Sequence, residues 1–167
     1  MKILIAYLSK NNTSKKSAEL LSAQVGGDVD VVDLKNKIPE FDAYDIIIIG
    51  GSIRMGQYPR VLKKVLKKNT TVLLEKKVIY FINCAFTENR EQYYKDNIPD
   101  ILMNHTLGCF CFGGELNLAT LKGTDRMVAT AVARQSQGSG KPPVMLDERA
   151  IAQCADRIGA VLKNNRR

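Results

Sequence analysis

The run DIIIIG at positions 45–50 limits the possible folds more than any other feature of the sequence. Consecutive β-branched residues ending in glycine are typical of a strand buried on both faces, because such a strand has no polar side to alternate with. A strand of this kind belongs to a parallel sheet that carries helices on both faces. The run therefore predicts an α/β domain.

The rest of the chain alternates between apolar runs and helical patterns. Further strands are predicted at residues 2–8, 29–34, 77–83 and 107–113. Helices are predicted at residues 13–25, 59–68, 89–104, 124–135 and 148–163, with a flexible loop at 136–143. Pro99 predicts a break in the third helix near Asn97. Because crossovers are right-handed, few topologies remain, and we expect one domain over residues 1–167 with strand order 2-1-3-4-5.

The charge and the N-terminal sequence limit the possible partners and locations. The 25 basic and 17 acidic residues leave a formal charge of +8, which suits an acidic partner or an anionic membrane surface. No nucleic-acid motif accompanies this charge, and we interpret the basic residues of 60–68 as a solvated helix face. The first apolar run is too short for a signal sequence or a membrane span, so we expect a soluble, cytoplasmic protein.

The cysteines and the single histidine form no recognisable metal or dithiol motif. The four cysteines, at positions 84, 109, 111 and 154, include no C-x-x-C pair, and His105 cannot build a metal site alone. Cys109 and Cys111 are two residues apart in a predicted strand and so share a face. We interpret them as buried core residues. We predict no metal site, and no side chain stands out as a catalytic acid or base.

Parallel α/β sheets bind ligands beyond the carboxyl ends of their strands, at the point between strands 1 and 3 where the strand order reverses. The turn after strand 1 leads directly into a helix and is rich in hydroxyl and amide groups: Ser9, Lys10, Asn11, Asn12, Thr13 and Ser14. Free N–H groups, hydroxyl donors and the positive end of the helix dipole would hold a phosphate there. An ordinary helix cap formed by Asn12 or Thr13 is the alternative.

The connection after strand 3 is long for a link between a strand and a helix. It contains Gly50, Gly51, Ser52, Ile53, Arg54, Met55, Gly56 and Tyr58. Paired glycines let the backbone approach a flat ligand, while Ile53 and Met55 offer apolar surface and Tyr58 an aromatic one. We therefore expect a loop that contacts a ligand, with a plain connection as the alternative.

Both segments resemble those of known families. The order Tyr7-x-Ser9-x-x-x-x-Ser14-x-x-x-Ala18-x-x-Leu21 is similar to the flavodoxin phosphate-loop pattern. The order Gly50-x-Ser52-Ile53-Arg54-x-Gly56-x-Tyr58 resembles the corresponding loop of the oxygen-independent, flavodoxin-like protoporphyrinogen oxidases. The resemblance implies a flavodoxin-like three-layer sandwich that binds FMN without a covalent bond. It places the phosphate at residues 9–14 and the isoalloxazine ring between the loops after strands 3 and 4.

The resemblance also implies a second ring-contacting loop, formed by Asn83, Cys84, Ala85 and Phe86. Asn83 would donate to a flavin carbonyl, and main-chain groups of Cys84 and Ala85 would contact the pyrimidine edge. A main-chain carbonyl near Met55 and Gly56 would accept a hydrogen bond from the reduced ring. Arg54 would stabilise anionic reduced flavin or steer an acidic substrate; alternatively it binds carbonyls of its own loop.

The resemblance leaves the function open between a carrier and an enzyme. A carrier would transfer electrons through bound FMN to a redox partner protein, although the basic pI of about 9.4 differs from that of the acidic flavodoxin carriers. An enzyme would oxidise a small anionic substrate, by resemblance protoporphyrinogen IX, and pass electrons to a quinone-type acceptor. A flavodoxin-like domain that has lost FMN is the non-redox alternative.

Overall fold

The computed structural model describes residues 1–114 and 145–165, together with Gly123, Met127, Thr130, Ala131 and Arg134. The strands are β1 (Lys2–Leu8), β2 (Asp28–Asp33), β3 (Ile46–Ser52), β4 (Lys77–Asn83) and β5 (Gly108–Cys111). They form one sheet in the order β2-β1-β3-β4-β5, and every neighbouring pair is parallel. The predicted α/β fold class and strand order are confirmed.

Helices cover both faces of this sheet and make a three-layer sandwich. The helices on one face are α1 (Thr13–Gln24) and α6 (Glu148–Asn164). Those on the other face are α2 (Arg60–Lys68), α3 (Thr70–Glu75), α4 (Arg90–Asn97) and α5 (Asp100–Met103). Within the described part of the chain, no helix has the length and apolar character needed to cross a membrane.

The three central strands, β1, β3 and β4, are buried on both sides because each contributes to two apolar clusters. In β1, Leu4 and Ala6 belong to the cluster under α2, whereas Ile3 and Ile5 belong to the cluster under α1 and α6. The isoleucines of the DIIIIG run alternate in the same way and are all fully buried. The run therefore forms β3 in the middle of the sheet, as a strand without a polar face must.

Most element boundaries agree with the predictions to within a few residues. The predicted break is present, because α4 ends at Asn97 and Pro99 precedes α5. Strand β5 is shorter than the predicted 107–113, and Gly113 has a left-handed φ of 67°. Helix α3 was not predicted, since six residues are too few to establish a helical period. The predicted loop at 136–143 and most of the predicted helix at 124–135 lie outside the described residues.

Helix α2 presents the predicted solvated basic face. Leu62, Val65 and Leu66 are buried against the sheet, while Lys64 and Lys67 are exposed. Val61 was predicted on the apolar stripe, but 47% of its surface is exposed, so that prediction is wrong. The reason is the helical period: residues 62, 65 and 66 define the buried stripe, and position 61 lies beyond its edge.

Candidate phosphate and flavin site

The turn between β1 and α1 leaves the start of the helix uncapped. Asn12 is the N-cap residue and has a left-handed φ of 64°, the conformation expected from its place in the turn. Its main-chain carbonyl accepts from the Lys16 N–H at 2.9 Å, but its side chain makes no hydrogen bond to the helix. Among the described residues, the first N–H groups of α1 therefore lack the side-chain cap of an ordinary capped helix.

The two serines of this turn differ in what their hydroxyl groups contact. The Ser14 Oγ lies 2.8 Å from the Ser52 Oγ, and this contact ties the turn to the end of β3. The Ser9 Oγ is buried and has no hydrogen-bond partner among the described residues. A buried hydroxyl without a partner costs about 1–3 kcal/mol. A phosphate oxygen at the start of α1 would satisfy the Ser9 hydroxyl and the uncapped N–H groups together, so the residues present fit this group.

The loop after β3 is a tight two-residue turn. Arg54 and Gln57 exchange two main-chain hydrogen bonds, each 3.0 Å long. Between them, Met55 and Gly56 have φ values of 50° and 76°, the pattern of a type I′ turn. Met55 is at the tip, with 96% of its surface exposed. The left-handed φ strains the backbone of a residue other than glycine, and exposure of the apolar Met55 side chain to water is also unfavourable. A ligand that covered this side chain would offset the second cost, so the tip is a candidate ligand contact.

Asn97, at the end of α4, holds this turn in place. Its Oδ1 accepts from the Tyr58 N–H at 2.7 Å, and its Nδ2 donates to the Gly56 carbonyl at 2.8 Å and the Tyr93 carbonyl at 2.7 Å. The side chain is buried. The sequence did not indicate this role, because Asn97 is 41 positions away from Gly56 and carries no local signal for the contact.

Replacing Asn97 with alanine is expected to lower the free energy of unfolding by about 2–3 kcal/mol, because a buried N–H and a carbonyl lose their partner. Urea unfolding followed by circular dichroism measures the change. Gln92→Ala is the matched control, since its exposed side chain donates to the exposed Asp96 of the same helix, and we expect a change within about 0.5 kcal/mol. Equal losses in the two variants would contradict the role assigned to Asn97.

Tyr58 does not offer the aromatic surface that the sequence suggested, and that prediction is wrong. Its ring is in the core, with 3% of its surface exposed, and its hydroxyl donates to the Phe81 carbonyl at 2.7 Å. This burial raises the pKa of Tyr58 well above its ordinary value. The hydroxyl has a better partner inside the sheet than in solvent, so the ring turns inward.

The loop after β4 presents main-chain groups and one aromatic ring at the surface. Asn83 is buried, and its Nδ2 donates to the Ser17 Oγ at 2.9 Å and the Gly113 carbonyl at 3.2 Å. Both amide hydrogens are thus used within the protein, whereas the sequence led us to expect a donor to the ring. Ala85 and Phe86 are partly exposed beside it, and Phe86 is the aromatic side chain available at this loop.

The three loops meet because β1, β3 and β4 are neighbours whose carboxyl ends share one edge of the sheet. The Ser14–Ser52 contact joins the first loop to the second, and the Ile53 N–H donates to the Asn83 carbonyl at 2.8 Å, which joins the second to the third. The predicted residues at 9–14, 52–56 and 83–86 therefore form one continuous rim. Among the described residues, no three His, Cys, Asp or Glu side chains are grouped as for a metal ion.

A basic cleft of about 410 Å³ opens beside Ser9. It is lined by Leu8, Ser9, Lys10, Lys35, Arg54, Gln57, Tyr58, Pro59 and Arg60. Four of these residues are cationic and none is acidic, an arrangement that attracts anions. Lys10 and Arg54 were singled out from the sequence. Lys35 was not, because only the pairing of β2 with β1 brings it to this edge.

Comparison with known proteins agrees with this architecture. Among curated proteins, the protoporphyrinogen IX dehydrogenase (quinone) of Escherichia coli strain K12 is 25% identical over 171 aligned positions, which cover 95% of this chain and 94% of that protein. Among solved structures, oxidised flavodoxin 1 from Bacillus cereus matches with a TM-score of 0.53 at 14% identity, covering 98% of each chain. A flavodoxin from the domain Archaea matches with a TM-score of 0.50 at 14% identity, covering 95% of this chain and 99% of that one.

At 14% identity, the two structural matches establish only the fold. The match to a family model establishes the family as well. The model described as a flavodoxin domain matches residues 4–142, most of the chain, and a flavodoxin domain implies a flavin as the cofactor. The implied cofactor agrees with the unsatisfied Ser9 hydroxyl and the uncapped start of α1. On this match, the chain belongs to the flavodoxin domain family.

Proposed function

We propose that this protein binds FMN without a covalent bond and transfers electrons through it. The observation that carries the proposal is the buried Ser9 hydroxyl, which has no partner in the part of the chain that the structure describes, together with the uncapped start of α1 there. Hydroxyl and main-chain donors at the positive end of a helix are the groups that bind a phosphate. In FMN, the phosphate would be held there by Ser9 and the first N–H groups of α1, with Lys10 at the exposed side.

The ring of FMN would be held by the other two loops of the same rim. Ile53 and Met55 supply apolar surface on one side, and Phe86 supplies an aromatic side chain on the other. The Gly56 carbonyl is used by Asn97, so the Met55 carbonyl is the acceptor that this turn would offer to a ring N–H. Bound FMN would supply one- or two-electron transfer, while these residues bind and orient it and exclude water.

Titration of the flavin-free protein with FMN and, in parallel, with riboflavin tests this proposal. Both ligands have the same ring, but riboflavin lacks the phosphate. We expect FMN to bind at least about tenfold more tightly, because hydrogen bonds to a charged group contribute about 1.5–3 kcal/mol each. Quenching of flavin fluorescence measures both affinities. Failure to bind FMN at high excess would refute the proposal, and equal affinities would refute the phosphate position.

A second candidate function is oxidation of protoporphyrinogen IX with a quinone-type acceptor. The basic cleft favours this second function, because Lys35, Arg54 and Arg60 would attract a small anionic substrate close to the rim that would hold FMN. The 25% identity to the E. coli enzyme of that name points the same way. The same positive charge would favour transient contact with an anionic membrane surface, where quinones reside. A carrier would instead use its basic surface to dock an acidic redox partner protein.

Turnover of protoporphyrinogen with a quinone separates these two functions. An enzyme is expected to exceed the rate of free FMN at the same concentration. The double variant Lys35→Ala/Arg60→Ala is then expected to raise KM and to leave FMN affinity nearly unchanged, since the two residues line the cleft but belong to none of the three loops proposed to hold FMN. The control is Lys67→Ala, which removes an exposed charge on α2 outside the cleft. A rate no higher than that of free FMN would leave the carrier function.

A further inference from the structure

Two cysteines meet at the rim: one belongs to the loop after β4 and the other to the neighbouring strand β5. Cys84 is the first residue after β4, and Cys111 is the last residue of β5. Their Sγ atoms lie 3.4 Å apart, although the residues are 27 positions apart in the sequence. The Cys84 N–H also donates to the Gly113 carbonyl at 2.8 Å, which fixes the two backbones relative to each other. Shortening of the sulfur–sulfur distance to roughly 2.05 Å would complete a disulfide.

We propose that Cys84 and Cys111 form a reversible disulfide that ties the loop after β4 to β5 in response to oxidants. The proposal does not depend on flavin binding, because it rests on two thiols of the protein itself. The disulfide would change the position of the loop after β4, which is part of the rim. Ala85 and Phe86 follow Cys84 directly, and the Cys84 Sγ lies 3.7 Å from the Phe86 carbonyl oxygen.

The surroundings of the pair assign a different role to each sulfur. The contact with the Cys84 thiol, a hydrogen bond from the Gly113 backbone and the positive charge of Arg90 together lower the pKa of the Cys111 thiol. The pKa of the Cys84 thiol is raised by its hydrogen-bond contact with Cys111 and by its burial. Cys111 is also the more exposed of the two. Because an oxidant from solvent must reach the attacking sulfur, the partly exposed Cys111 is the attacking residue and the buried Cys84 the resolving one.

With a hydroperoxide as the oxidant, the reaction balances in two steps. The Cys111 thiolate attacks one oxygen of hydrogen peroxide, the O–O bond breaks, and Cys111 becomes a sulfenic acid. The leaving hydroxide takes up the proton that Cys111 released on ionisation and departs as water. The Cys84 sulfur then attacks the Cys111 sulfur, the S–O bond breaks, and a second water leaves with the Cys84 proton. The two thiols lose two electrons in total, and the peroxide gains them. A dithiol reductant reverses the reaction by exchange.

The other two cysteines provide internal controls. Cys109 lies on the same face of β5, with its Sγ 3.6 Å from the Met103 Sδ, and Cys154 is buried under the opposite face of the sheet. Burial raises the pKa of each to about 12. Neither is positioned to replace a member of the pair, so oxidation is expected to be selective.

Treatment of the purified full-length protein with hydrogen peroxide, followed by peptide mapping without reductant, tests the proposal. We expect the free thiols to fall from four to two and a linked peptide pair to join Cys84 to Cys111, with dithiothreitol restoring all four. Cys109→Ala should behave like the unmodified protein. Cys84→Ser should form no linked pair and should carry its oxidation on Cys111. Absence of the linked pair in the unmodified protein, or a link to Cys109, would overturn the proposal.

Discussion

Replacing Ser9 with alanine is expected to weaken FMN binding by roughly 10- to 100-fold while the flavin-free protein keeps its stability. The Ser9 hydroxyl is buried and has no partner within the described structure, so its removal breaks no hydrogen bond of the folded protein and relieves an unsatisfied group. Its loss matters only when a phosphate is present. A hydrogen bond to a charged group contributes about 1.5–3 kcal/mol, which corresponds to this range of affinity.

Riboflavin makes the Ser9 experiment selective. Because riboflavin has no phosphate, Ser9→Ala should leave its affinity unchanged, and the difference between the two ligands should shrink. Ser22→Ala is the matched control, since Ser22 is a partly exposed serine near the end of α1, far along the helix from the proposed phosphate. An equal loss of affinity for both ligands in Ser9→Ala would mean that the variant disturbs the rim in general. A stability loss without ligand would mean that the hydroxyl already has a structural partner.

Replacing Gly50 with alanine is expected to destabilise the fold by about 3 kcal/mol or more, near the upper end of single substitutions. A Cβ at this position would lie 2.0 Å from the Phe81 carbonyl oxygen and 2.7 Å from the Phe81 ring. The carbonyl cannot simply move away, because it belongs to the neighbouring strand β4 and accepts the Tyr58 hydroxyl. The melting temperature should fall by roughly 6–12 °C.

Gly159→Ala is the matched control for Gly50→Ala. Gly159 lies within α6, and a Cβ there would meet no atom within 4 Å. Alanine is the better helix former by about 1 kcal/mol, so this variant should be somewhat more stable than the unmodified protein. Thermal unfolding by circular dichroism compares the two. A melting temperature for Gly50→Ala within a degree or two of the unmodified protein would show that β3 and β4 can separate easily, contrary to the packing described.

The close packing at Gly50 also bears on the candidate site. Gly51 is similarly constrained, since a Cβ there would lie 2.7 Å from the Leu8 carbonyl oxygen of β1. The paired glycines at the end of β3 therefore serve first to let three strands converge. The sequence had suggested that they let the backbone approach a flat ligand. The structure adds that they bring the loops after β1, β3 and β4 close enough to form one rim.

The sequence was sufficient for those features that depend on local pattern. The DIIIIG run predicted a strand buried on both faces, and it is the central strand β3. The alternation of strands and helices, with right-handed crossovers, predicted the strand order. Hydroxyl and amide residues before α1 predicted a turn into the helix, and Asn12 has the left-handed φ of such a turn; its binding of a phosphate stays a prediction. Each of these properties is set by residues within a few positions of one another.

Only the tertiary structure decided where individual polar side chains point. Tyr58 turned into the core to reach a carbonyl 23 positions away, and Asn83 turned toward Ser17, 66 positions away. Asn97 and the Cys84–Cys111 pair became significant for the same reason, since their partners come from other strands and loops. A buried polar group must find a partner, and the nearest partner depends on which elements pack together. Sequence pattern determines which faces are buried, whereas three-dimensional packing determines which hydrogen bonds those faces can make.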